Sequence, residues 1–70
     1  MVVARWESRG GAHWVELQDN AGQYSYVGNG CGGILGPVAS VQAAVLNLQA
    51  RVDSGYFLPD NAKLPMVRII

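Results

Sequence analysis

Three kinds of residue in this chain could do chemistry: the single cysteine Cys31, the single histidine His13, and the glycines around the cysteine. A thiol beside an imidazole can become a thiolate by passing its proton to the ring, and backbone N–H groups of a glycine-rich loop can hold an oxyanion. These are parts of acyl-transfer chemistry. The set stops there, because no third group stands ready to orient the imidazole, and a chain of 70 residues has little volume for a water-excluding cleft. A small buried thiol and a strand-end imidazole account for both residues without catalysis. One Cys and one His also fall short of the four ligands of a structural zinc site.

Gly28, Gly30 and Gly33 match the G-x-G-x-x-G spacing of a dinucleotide loop, after an extended segment and before a helical one. In a working fingerprint the last glycine lies within the start of the helix, whose free N–H groups meet the pyrophosphate. Here Ile34 to Ala39, with Pro37 among them, come between. A ligand or nucleotide site, or thiol chemistry, centred on His13, Gly28, Gly30, Cys31 and Gly33 is the alternative to a non-catalytic reading. No cofactor and no metal are expected.

The elements that must position these residues follow from periodicity. From Val2 to Val27 apolar and polar residues alternate, broken by turn residues. A two-residue turn at Gly10-Gly11 sets Arg9 opposite Ala12, Glu7 opposite Trp14, Trp6 opposite Val15, Arg5 opposite Glu16 and Ala4 opposite Leu17. One step further, His13 faces Ser8. A four-residue turn at Asp19 to Gly22 sets Gln18 opposite Gln23, Leu17 opposite Tyr24, Val15 opposite Tyr26 and Trp14 opposite Val27. The two registers agree: Val2, Ala4, Trp6, Val15, Leu17, Tyr24 and Tyr26 fall on one face, and Arg5, Glu7, Glu16, Gln18, Gln23 and Ser25 on the other. The expected structure is a three-stranded antiparallel meander with one buried face.

Gly28 to Pro37 carries five of the nine glycines and reads as a loop, with a short extra hairpin at Asn29-Gly30 as an option. The period then changes. Val41, Ala44, Val45, Leu48 and Val52 form a helical stripe, Gln42, Asn47, Gln49, Arg51 and Asp53 lie opposite, Ser40 caps the start and Ser54-Gly55 ends it. The stripe is expected to pack on the aromatic face of the meander. Tyr56 to Leu58 reads as extended, Pro59-Asp60-Asn61 as a turn, and Met66 to Ile70 as a fourth strand with Val67 and Ile69 on one face. The fold class is α+β, in the order βββαβ, over one domain spanning residues 1–70.

Composition narrows the function classes. Five basic and five acidic side chains cancel to zero net charge, so the electrostatic footprint of nucleic-acid binding is missing. No apolar run approaches the ~18 residues of a membrane span. Met1 to Trp6 lacks a basic start and long apolar core, and no glycosylation sequon occurs, so a cytoplasmic location is expected. A chain this short has a thin margin over its ordering entropy, and self-association is the supplement left to it. On the outer face of the meander, Trp14 with Val3, Arg5, Glu16 and Val27 resembles the anchor of an interaction surface. The expectation is a non-catalytic protein-protein interaction module, forming a homodimer, with neither nucleic acid nor membrane as partner. An apolar C-terminal strand at a sheet edge is one route to pairing with a second copy.

Overall fold

Alternating burial along Val2 to Ser8 and Trp14 to Leu17 confirms that one face of the N-terminal segments is committed to a core. A computed structural model describes residues 1–57 and 66–70. It has strands β1 (Val2–Ser8), β2 (Trp14–Asn20), β3 (Gln23–Gly28), β4 (Cys31–Ile34) and β5 (Met66–Arg68), with helix α1 (Val41–Asp53) between β4 and β5. The fold is α+β: an antiparallel sheet ordered β4-β3-β2-β1-β5, with one helix across one face. The expected meander is β1-β2-β3, and the Asn29-Gly30 hairpin is present and adds β4. Among the described residues no helix is long and apolar enough to cross a membrane.

In the first hairpin Glu7 pairs with Trp14, Trp6 with Val15, Arg5 with Glu16 and Ala4 with Leu17, as expected. Ser8 also faces His13, whose carbonyl accepts from the Ser8 N–H at 2.8 Å. The turn itself differs. Arg9–Gly11 forms a short 3-10 turn with Gly10 and Gly11 at φ of +81° and +75°, so Arg9 and Ala12 belong to the loop and are not a strand pair.

Two corrections come from registers. The second hairpin turns in two residues, Ala21 and Gly22, at φ of +55° and +88°. Leu17 therefore pairs with Tyr26, Asp19 with Tyr24 and Val15 with Gly28, two residues away from the expected pairing. A two-residue shift preserves every face, so Tyr24 and Tyr26 still point toward the helix side. At the start of β1 a bulge lies between the Val2–Gln18 and Ala4–Leu17 pairs. It reverses the expectation for two residues: Val3 turns in against the core and Val2 is exposed.

The core joins Ala4, Trp6, Val15 and Leu17 of the sheet to Ala44, Leu48 and Val52 of α1, with Leu35 and Met66 at its margins. Ser40 caps α1 through its Oγ, which accepts from the Ala43 N–H at 3.1 Å, and Gly55 follows the end at φ +78°. Ser54 to Phe57 forms a turn and not the expected extended segment. Leu58, the Pro59-Asp60-Asn61 turn and Pro65 lie outside the described residues.

Candidate functional site

The helix covers one face of the sheet, and among the described residues no element lies across the other. Along β1 and β2 that outer face shows Arg5, Glu7, Trp14 and Glu16. On β3 and β4 it shows Val27 and Ile34, and on β5 Val67. Ile69 continues the line, because its N–H donates to the Arg5 carbonyl at 2.8 Å. Val27, Ile34, Val67 and Ile69 are all exposed.

At the centre stands Arg5. Its Nε donates to Glu7 Oε2 at 2.7 Å, its Nη1 donates to Glu16 Oε1, and its guanidinium carbon lies 4.4 Å from the centroid of the Trp14 ring. The Arg5–Glu16 cross-strand pair is the one the register predicted. Both carboxylates hold the guanidinium charged, Glu7 most strongly, and push its pKa above the ordinary value against the opposing cost of burial. At the surface such a network contributes little stability. Its effect is positional, because the guanidinium lies over the Trp14 ring and favours that placement on the outer face.

Four of the five residues expected on the interaction face, Arg5, Trp14, Glu16 and Val27, are there together. Val3 is not. It packs on the opposite side, where with Val41, Val45 and Leu46 it lines a shallow groove of about 540 Å³ beside the helix. The physical reason is the bulge, which lets an apolar residue reach the first turn of α1 where strict alternation would have left it in water.

The second candidate set is distributed differently. Gly28 ends β3, Gly30 is the turn residue at φ +87°, and Cys31 and Gly33 lie on the edge strand β4. Gly33 precedes the first residue of α1 by a whole connecting segment, so these glycines do not form a helix N-terminus. Cys31 is a free, exposed thiol. Among the described residues the hydrogen bonds of His13 are those of its backbone, with its N–H donating to Ser8 Oγ at 3.0 Å. Among the described residues no hydrogen bond joins the His13 ring to the Cys31 thiol, and neither residue lines the groove beside the helix. No group of three or more metal-ligating side chains occurs among the described residues.

The glycines answer to packing. A Cβ on Gly28 would stand 2.4 Å from the Trp14 carbonyl oxygen and 2.8 Å from Cys31 Sγ, and one on Gly33 would stand 2.8 Å from Tyr26 Oη. Asn29 supplies a clamp that sequence reasoning missed. Its Oδ1 accepts from the Trp14 N–H at 2.9 Å and its Nδ2 donates to the Ala12 carbonyl at 2.7 Å, tying the tip of the β3-β4 hairpin to the start of β2. An Asn-Gly pair signals a turn in sequence, but nothing local reveals what the amide will reach. Compared with protein-family models, with curated proteins and with solved structures, the chain matches none.

Proposed function

We propose that the chain is a non-catalytic protein-protein interaction module that acts through the outer face of its sheet and self-associates. The observation that carries the reading is the Trp14 ring. It is half-buried on a face that no described element covers, and it rests on a guanidinium held by two carboxylates. A large side chain whose pose is fixed before docking loses little conformational freedom on binding, and Trp and Arg are the types that most often carry binding energy. Val27, Val67 and Ile69 supply apolar area around it. A chain with no net charge suits another protein surface better than a polyanion.

The test is capture of a binding partner by wild-type chain, followed by measured affinities of variants. Trp14→Ala is expected to weaken binding by about 30-fold or more, the equivalent of roughly 2 kcal/mol at a central anchor. His13→Ala and alkylation of Cys31 are expected to leave it within about twofold of wild type, since neither group belongs to the proposed face. The reverse pattern, with binding lost on Cys31 alkylation and kept in Trp14→Ala, overturns the reading.

A further inference from the structure

Among the described residues β4 is the last strand on its side of the sheet. In an antiparallel ladder, the residues that exchange hydrogen bonds with the neighbouring strand alternate with residues whose backbone groups point the other way. Gly28 and Cys31 close the Asn29-Gly30 turn, and the Leu35 N–H donates to the Tyr24 carbonyl at 3.0 Å. Cys31, Gly33 and Leu35 therefore bond to β3, and Gly32 and Ile34 direct their N–H and C=O groups outward. Among the described residues nothing pairs with them. Sheet edges are ordinarily guarded by a charge, a proline or a bulge. Cys31–Ile34 has none of these, whereas β5 at the opposite edge carries Arg68.

We infer that β4 pairs antiparallel with β4 of a second copy of this chain about a twofold axis at Gly33, joining the two five-stranded sheets edge to edge. An outward row of backbone donors and acceptors is satisfied by another strand, and the side chains specify which one. In this register Gly32 of each copy exchanges hydrogen bonds with Ile34 of the other, which uses both outward residues twice over. Ile34, 69% exposed, is the only side chain that β4 presents on the outer face, and bare Gly32 of the other copy lies opposite it. Bulk meets a gap, and the symmetry repeats the match on the other side of the axis. The two Ile34 side chains then lie diagonally across the axis, within reach of one another at ~7–8 Å between backbones. On the inner face Gly33 has no side chain of its own at the axis, and a Cβ there would stand 2.8 Å from Tyr26 Oη.

This inference rests on the self-association in the proposed function but places the contact at the sheet edge, away from Trp14. Sedimentation at micromolar concentration is expected to show a dimer for wild type and for Leu46→Lys on the exposed side of α1, and a monomer with unchanged circular dichroism for Ile34→Lys. A dimer that dissociates in Trp14→Ala but persists in Ile34→Lys overturns the edge pairing and leaves self-association standing. A monomeric wild type overturns both, while the capture experiment still decides the role of Trp14. A nitroxide on Cys31 gives a readout that does not depend on the Ile34 variant folding. Four residues of strand rise and one strand spacing set the two Cys31 Cα atoms ~14 Å apart. A label distribution centred beyond about 30 Å contradicts the register on those same strand dimensions.

Discussion

Gly28 is where two hairpins and a candidate site meet, and one hydrogen atom in place of a methyl group decides its neighbourhood. Two of the atoms closest to a Cβ there are the backbone carbonyl oxygen of Trp14, at 2.4 Å, and Cys31 Sγ, at 2.8 Å. The carbonyl is backbone, accepts from the Asn29 N–H at 3.4 Å and cannot yield cheaply. Gly28→Ala is therefore expected to lower stability by about 1–3 kcal/mol, the usual cost of forcing a group into filled space. The urea midpoint at constant m-value measures it, and an unchanged midpoint would contradict the packing role. The sequence shows Gly28, Gly30 and Gly33 as a phosphate-loop spacing because a one-dimensional pattern records which residues are small. It does not record what lies against them. Arg5 and Trp14 were more legible, since direct opposition of Arg5 to Glu16 and of Glu7 to Trp14 follows from a single hairpin register.

At the scale of elements, the helix was the most legible part of the chain. Its cap, its apolar stripe at Ala44, Leu48 and Val52, and its terminating glycine all come from local rules that act within a few residues. The same periodicity set Gln49 on the polar side, and tertiary contact changed its role. Trp6 is completely buried, and its indole Nε1–H donates to Gln49 Oε1 at 2.6 Å, while Gln49 Nε2 donates to Asp53 at 2.8 Å. A buried tryptophan needs an acceptor for its N–H, and Gln49 borders Leu48 in the stripe, so the signal was there in outline. Gln49→Ala is expected to strand the indole N–H and cost about 1–3 kcal/mol, seen as a lower thermal midpoint. With Asp53→Asn as the common background, so that two carboxylates do not meet, Gln49→Glu keeps the acceptor and should recover most of the loss, and equal losses in the two variants would argue against the bond as the cause.

The whole molecule is unevenly covered. Helix α1 packs chiefly over β1 and β2, and the inner face of β3 is closed by side chains from the end of the helix and the turn after it. Phe57 meets Tyr26 edge to face at 5.5 Å between centroids, and the Arg51 guanidinium lies 5.5 Å from the centre of the Tyr26 ring. Burial, aided by the neighbouring Tyr56 phenol, raises the Tyr26 pKa above its ordinary value of 10.0, and Arg51 opposes the shift. The folded state then holds the phenolic proton more tightly than the unfolded chain. That contribution to stability is fully present below pH 10.0 and is lost as pH rises from there through the raised value. Denaturant midpoints taken between neutral and strongly alkaline pH should fall less steeply in Tyr26→Phe than in wild type. Parallel curves would show that Tyr26 does not carry the shift.

The sequence by itself determined the faces of the sheet, the helix and its ends, the α+β class and the Arg5–Glu16 pair. Each of these depends on a period of two or 3.6 residues, or on chemistry within one hairpin. It did not determine the register of β2 on β3, because a shift of two residues leaves every side chain on the same face. That choice fell to the left-handed Ala21-Gly22 turn, braced by the Gly22 N–H donating to Asp19 Oδ1 at 2.9 Å, and to the Asn29 clamp on Trp14. Nor did it determine on which side Val3 lies, since only the presence of Val41 and Val45 across a bulge makes the inward position favourable. Alternation is a local property, but the identity of the atoms waiting on each side is set by distant parts of the chain.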